Sequence, residues 1–448
     1  MAANKYSLTI YRIFFPLALL LLLTGCHSYV LDDAQYDLRN SFAAGNFEKS
    51  EHLLNRFEEK NIYRSKDAVL KNLEGGMIHH FAGSYDTSNT YFHSAEQKID
   101  EAYTKSISRG LAALLANDNT LVYDGEPYED VYLNAFKSLN YVHLHNWEAA
   151  LVETRRMAYK MEQLDIRIKG IAEAFAKKDT AEAREWKSGE VNLQNSAFSH
   201  YLSAILYAKS GHVDDARIEY EKLGTALEEQ KRLRRYPVPR HSGLKEILYP
   251  NRYNVLLSGF TGQSPVKEQE DIRIWLNGYD GDEDESFYVK FSLPKLTLVE
   301  TRVQNVRAVI NDEKVVPLKL IEEMDVVSAE VYSAKQPIIY TRAMLRATAK
   351  ATGSHLIANA VRKENKGLGA LFDILGIIGQ ETTEKADLRS WQTLPGQAWM
   401  NVVDLPLGTH EIRMEYVAAN GDVLYTDIFD VIIAEDIHLE LVESIYSY

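Results

Sequence analysis

The sequence predicts an α+β multidomain protein, with helical repeats in the N-terminal half and a β-sandwich-like domain with a helical insertion in the C-terminal half. From residue 32 to about residue 233, apolar residues recur at three- and four-residue spacing and Pro127 is the only proline, a pattern typical of helices. From Val255 onward, runs that alternate between apolar and polar residues indicate strands. At 448 residues, the chain is too long for one ordinary core.

Residues 1–25 have the pattern of a secretory signal peptide. Lys5 and Arg12 form the basic segment, 17–23 is the apolar core, and Gly25 is a small residue at the cleavage point. The apolar core is shorter than the roughly 20 residues that a membrane-spanning helix needs. Cys26 follows directly and is the only cysteine of the chain. It therefore cannot form an internal disulfide bond.

The run Leu23-Thr24-Gly25-Cys26 resembles the lipobox of bacterial lipoproteins. The resemblance implies that a signal peptidase recognises Leu23, Thr24 and Gly25, and that Cys26 carries diacylglyceryl and N-acyl lipid as the membrane anchor, with 26–31 as a tether. His27 stands where an aspartate would retain the protein in the inner membrane, which implies the outer membrane, facing the periplasm. An ordinary signal peptide, an uncleaved anchor helix and the surface leaflet stay open.

Four short signatures divide the helical half, predicted as 32–240. In each, a turn residue precedes a large apolar residue, and a small residue follows three positions later. They lie at 45–50, 83–88, 145–150 and 211–216. These units resemble the helix-turn-helix of tetratricopeptide repeats, which implies an α-solenoid. Their spacing is irregular, whereas a strict array repeats about every 34 residues, so an irregular helical bundle is the alternative.

One helix pair of this half is the predicted partner-binding region. If the repeat interpretation holds, a concave groove lies beside it, and such grooves in tetratricopeptide proteins hold extended peptides or partner helices. The candidate residues are Tyr132, Asn140, Tyr141, Arg155 and Arg156. The alternative is an internal salt-bridge network between Glu153 and the two arginines.

The basic run 231–240, with two prolines at its end, breaks the helical pattern. It either forms the C-terminus of a helix or contacts lipid phosphate or an acidic partner. The β-domain is predicted at 250–448. A helical insertion is expected at about 337–384. Its apolar, glycine-rich part (367–379) packs on the protein itself, enters the membrane surface or docks on another protein. Strands are predicted at 255–260, 272–276, 287–291, 306–310, 315–320, 411–417, 423–433 and 438–442.

Charge and motifs exclude several classes of function. The formal net charge is −14, which argues against general nucleic-acid binding because that binding needs clustered lysine and arginine. No metalloprotease, nucleophile-elbow, P-loop or cysteine-metal motif occurs, so neither a cofactor nor a metal is expected. No second long apolar segment occurs, so we expect no integral transmembrane helix after the signal peptide.

Taken together, several segments resemble an uncharacterised bacterial lipoprotein family with tetratricopeptide-like helices and a C-terminal β-domain. Two of these segments are helical, the pair from Asn140 to Arg156 and the unit from Tyr201 to Tyr220. Besides these and the lipobox, the segments are Gly262-x-x-Pro265-x-Lys267, Asp387-x-Arg389-Ser390-Trp391-x-x-Leu394-Pro395 and Leu405-Pro406-Leu407-Gly408. The middle one is either a recognition cluster or a structural turn around a buried Trp391. The resemblance implies a role in peptidoglycan or envelope assembly. The first hypothesis for the function is a non-enzymatic adaptor, in which the lipid anchor holds a solenoid that binds an envelope protein. The alternative is an envelope enzyme whose acid and base groups converge where the two halves meet.

Overall fold

The computed structural model describes residues 31–448 except 32, 109–115, 178, 180–184, 192, 194, 277–286, 365–380, 382–383 and 436–437, and it describes only the backbone of 106–108 and 353–364. The signal peptide, its recognition residues Leu23, Thr24 and Gly25, the lipidation candidate Cys26 and the apolar segment 367–379 lie outside the described residues.

Helices make up the N-terminal half, as predicted. The turn signatures at 45–50, 83–88, 145–150 and 211–216 each lie between two helices, and the large apolar residue of each signature is the first residue of the second helix. The helices are α1 (33–43), α2 (Phe47–Glu59), α3 (Ala68–Phe81), α4 (Tyr85–Ser108), α5 (Pro127–His143), α6 (Trp147–Ala176), α7 (Ala197–Lys209) and α8 (Val213–Gln230).

Local chemistry explains where these helices begin. Gly83 and Gly211 adopt φ of 75° and 78°, a left-handed conformation that glycine tolerates without a steric penalty. Asn46 and Asn146 cap α2 and α6, because their side chains accept hydrogen bonds from Lys49 N and Ala149 N at 3.0 and 3.1 Å. Consecutive helices then pack as pairs, α3 with α4, α5 with α6, and α7 with α8.

Strands occupy the C-terminal half in three groups. The central sheet has the order β10-β1-β7-β6, the outer sheet has the order β5-β4-β8-β9, and β2 pairs with β3 as a hairpin. Their bounds are β1 (Val255–Thr261), β2 (Val266–Leu276), β3 (Phe287–Thr297), β4 (Val303–Ile310), β5 (Lys314–Pro317), β6 (Lys319–Glu323), β7 (Gln397–Val403), β8 (Gly408–Ala418), β9 (Val423–Ile433) and β10 (Glu440–Tyr446). The sequence prediction missed β7, which lies between β1 and β6.

The central sheet has a buried layer on each face. On one face, Leu257 and Trp399 share a core with Met414 of the outer sheet, and a Cβ added to Gly259 would lie 2.8 Å from Val306, so the two sheets approach closely. On the other face, Phe260 contacts Phe81, Phe136 and Phe198 of the helices, with ring centroids 6.1, 5.3 and 6.1 Å away. The helical half therefore packs directly on the sheet.

The helical insertion begins earlier than the predicted residue 337. Helix α9 spans Met324–Glu364 and contains Pro337. Its small residues Ala343, Ala347 and Ala351 pack against Val289 and Phe291 of the β2–β3 hairpin. The helix thus follows β6 without a loop and crosses towards the hairpin.

Candidate functional site

Two of the predicted partner-binding residues lie in the protein interior. Tyr132 is fully buried and its hydroxyl donates to Glu322 Oε1 at 2.6 Å. Asn140 is also fully buried; its Nδ2 donates to Ser88 and Asn89 at 2.8 and 2.9 Å. Both side chains hold elements together, so their expected place on a binding surface is corrected: no partner reaches them in this structure.

The other three candidates lie at or near the surface but do not form one cluster. Tyr141 is half-buried. Arg155 donates to Leu151 O at 3.1 Å, and its guanidinium lies 5.9 Å from the ring centre of Tyr207. Arg156 is 49% exposed and pairs with Glu153 at 3.3 Å. The salt-bridge alternative is therefore present for Arg156, while Arg155 has different neighbours.

Arg156 belongs to a surface groove between α4, α5 and α6, which we call the α4–α6 groove. It has a volume of about 600 Å³. Tyr159 and Ile166 project from α6, each 63% exposed. Large apolar side chains that are this exposed and flank one concave surface are a feature of binding sites. Residues that line the groove include Glu96, Asp130, Arg156, Tyr159, Lys160 and Ile166.

Fixed charges cover the floor of this groove. Lys160 pairs with Glu96 at 2.8 Å and with Asp130 at 2.7 Å, and Lys137 reaches Glu96 at 2.9 Å. Burial opposes the ionisation of Glu96, but Lys160 and Lys137 outweigh it and hold the pKa of Glu96 at about 2. The floor is therefore charged at neutral pH, while Tyr159 and Ile166 of α6 expose apolar surface beside it.

A second site lies where the helices meet the β-domain. We call the segment 387–395 the strap, because it runs from the β-domain across the helices. Arg389 pairs with Asp67 at 2.9 Å and donates to Leu121 O at 3.1 Å. Trp391 is fully buried, with its ring centroid 5.7 Å from that of Phe92. The structure thus agrees with the structural-turn interpretation of this segment.

Buried carboxylates fasten the strap to the helices. Glu129 accepts from Trp391 N at 2.7 Å, and Glu74 accepts from Gln392 N at 3.0 Å. Burial raises the pKa of each of these two carboxyls to about 7. Their sequence neighbourhoods gave no indication of this contact, because the strap lies more than 250 positions further along the chain.

Beside the strap is a partly open cavity of about 100 Å³, the junction cavity. Glu126, at the start of α5, pairs with Lys267 of β2 and, at 3.1 Å, with Lys335 of α9. Asp387 pairs with Arg389 at 2.7 Å. The rest of the lining is mostly apolar and includes Leu121, Val122, Ile171, Phe175, Ile338 and Ile339.

The charged residues of the junction cavity are held in their ionised forms. Burial opposes the charge on Glu126, but Lys267 and Lys335 outweigh it and lower the pKa of Glu126. Burial likewise disfavours the ammonium of Lys335, yet Glu126 and Asp124 raise its pKa. Burial opposes the charge on Asp387 as well, and Arg389 holds the pKa of Asp387 at about 2. Two sequence motifs, around Lys267 and Asp387, thus meet here.

A third cluster joins two helices to the central sheet. His80 of α3 and His143 of α5 both pair with Glu443 of β10, at 3.1 and 2.9 Å. Burial opposes the charge on Glu443, but His80 and His143 lower its pKa to about 2. No group of three or more His, Cys, Asp or Glu side chains among the described residues is arranged to hold a metal ion.

Comparison with protein-family models, with curated proteins and with solved structures finds no match for this chain. Within the described part of the chain, no helix combines the length and the apolarity of a membrane span.

Proposed function

We propose that this protein is a lipoprotein of the bacterial envelope, anchored to the outer membrane through lipid on Cys26, that acts as a non-enzymatic adaptor. The helix pairs form a tetratricopeptide-like solenoid in this proposal, with an envelope protein bound along the α4–α6 groove. The lipobox resemblance supports the anchor. The stacking of α3–α4, α5–α6 and α7–α8 in chain order supports the solenoid.

The α4–α6 groove is the observation on which the adaptor function rests. Tyr159 and Ile166 present apolar surface on one rim of the groove. Both side chains are largely exposed, so they contribute little to the packing of the core. The ion pairs of Glu96, Asp130 and Lys160 below them offer both signs of charge. A partner segment that places apolar side chains on the rim and polar groups over the floor fits this arrangement.

Photo-crosslinking in living cells tests the proposal. Benzoylphenylalanine replaces Tyr159 in the groove or, as the matched control, Tyr36, which is 57% exposed on α1. We expect a discrete crosslinked envelope protein from position 159 and none from position 36. The band should weaken with Ile166→Ala and with Cys26→Ala. Identical bands from both positions would show that the groove assignment is wrong.

The second candidate is an envelope enzyme acting on peptidoglycan or another periplasmic substrate, with its site in the junction cavity. Glu126, Lys267, Lys335 and Asp387 converge there from distant parts of the chain, as such an enzyme requires. Purified protein and its Glu126→Gln variant are incubated with peptidoglycan, and soluble fragments are measured. Fragments from the parent protein alone would support this candidate; fragments from neither would remove it for this substrate.

A further inference from the structure

The junction cavity is lined by both apolar and charged side chains, and the charges of its lining largely compensate one another. Both carboxylate oxygens of Glu126 are engaged, one by Lys267 and one by Lys335. Both oxygens of Asp118 are engaged by Arg342 and Arg346. The charged residues that line the cavity therefore carry no large net charge that would select a strongly anionic or cationic ligand.

Two of the lining polar groups that keep hydrogen-bonding capacity lie close together. The Lys335 ammonium has three protons; among the described residues it makes one hydrogen bond, to Glu126 at 3.1 Å, and a longer ion pair to Asp124 at 4.0 Å. The Asp124 side chain is 35% exposed at the same place. The cavity thus offers a hydrogen-bond donor, Lys335, and an acceptor, Asp124, whose polar atoms are 4.0 Å apart.

We propose that the junction cavity binds a small ligand in which an apolar group, best an aromatic ring, is attached to a neutral amide. The amide oxygen accepts from Lys335, and the amide N–H donates to Asp124. The apolar group lies against Phe175, Ile338 and Ile339. This inference is independent of the α4–α6 groove.

Charge complementarity argues for the neutral head group. A carboxylate beside Lys335 would also face Asp124 and Glu126, and an ammonium beside Asp124 would also face Lys335 and Lys267. Like charges at such distances in a partly buried site cost binding free energy. An amide satisfies both polar groups without introducing either repulsion.

Three probes with the same benzyl group separate these cases: phenylacetamide, phenylacetate and phenethylamine. Each is titrated into the purified full-length protein, and binding is followed by ligand-observed saturation-transfer NMR. We expect saturable binding of phenylacetamide that is about tenfold tighter than that of either charged probe, the size of effect expected from one lost charge-assisted hydrogen bond. Lys335→Met should weaken phenylacetamide binding by a similar factor.

Filling variants place the binding in the cavity. Ile339→Trp fills it from α9, and Val122→Trp, at a residue 39% exposed, fills it from its mouth. Val152→Trp, on the exposed side of α6, is the matched control. Circular dichroism melting confirms that each variant is folded. Binding lost in both filling variants and kept in the control supports the proposal; absence of saturable binding, survival in both filling variants, or preference for a charged probe overturns it.

Discussion

Replacing Tyr132 with phenylalanine distinguishes an interior role from a surface role for this predicted partner-binding residue. The change removes only the hydroxyl, which donates to Glu322 Oε1 at 2.6 Å. A hydrogen bond to a charged group contributes about 1.5–3 kcal/mol. In this variant Glu322 still accepts hydrogen bonds from Ser196, Phe198 N and Gln230, at 3.1, 3.2 and 2.9 Å. We therefore expect Tyr132→Phe to lower the free energy of unfolding by about 2 kcal/mol.

Urea unfolding followed by circular dichroism measures this change. Tyr159→Phe is the control, because Tyr159 is 63% exposed and surface changes stay within about 0.5 kcal/mol. Combining Tyr132→Phe with Glu322→Gln should give less than the sum of the single effects, since both act on one hydrogen bond. Loss of partner capture by Tyr132→Phe with unchanged stability would refute the reasoning.

Three further predictions concern the contact between the halves. Trp391→Ala should lower the free energy of unfolding by about 3–5 kcal/mol, because the ring is fully buried, and hydrogen exchange should quicken in both helices and strands. A fragment of residues 33–240 should remain unfolded by circular dichroism, because it lacks the strap and the sheet face that cover its core. Stability should be greatest near about pH 5. The pKa values of Glu74 and Glu129 are raised to about 7, so these carboxyls stabilise the folded state at low pH and lose this contribution as the pH rises through 7. The pKa of Glu443 is lowered to about 2, so this carboxylate stabilises the folded state above its ordinary pKa and loses this contribution as the pH falls towards 2. Melting temperatures across pH, with Glu74→Gln and Glu129→Gln together as the variant, should show a flatter decline above about pH 5.

Local signals were sufficient for many elements of the fold. The turn residues of the four signatures act within a few positions of themselves, so the starts of α2, α4, α6 and α8 were readable. Strand β9 matches its predicted range because Asn420-Gly421 marks the hairpin and its side chains alternate. Strand β7 was missed, since six of its seven residues are buried and a strand covered on both faces shows no alternation.

The site was less predictable, because its contacts join distant parts of the chain. Glu126 and Lys267 are 141 positions apart, and no periodicity connects them. Helix α5 misled the prediction for a different reason: nearly all of its residues are buried, so its polar Tyr132 and Asn140 resemble surface residues in the sequence. Apolar residues occur around much of this helix, at Val131, Leu133, Phe136 and Leu139. A helix that is hydrophobic on most sides is buried, and this signal could have indicated that its polar side chains are hydrogen-bonded in the interior.

The distribution of titratable groups bears on whether the junction cavity binds or catalyses. A general acid or base works best with a pKa near the operating pH and in contact with substrate. Here the carboxyls with pKa values near 7, Glu74, Glu129 and Asp325, do not line the cavity. Glu126 and Lys335, which do line it, neutralise each other and stay charged. Lining residues whose charges compensate one another can orient a ligand, but their pKa values are not suited to proton transfer near neutral pH. This arrangement therefore favours binding over acid–base chemistry.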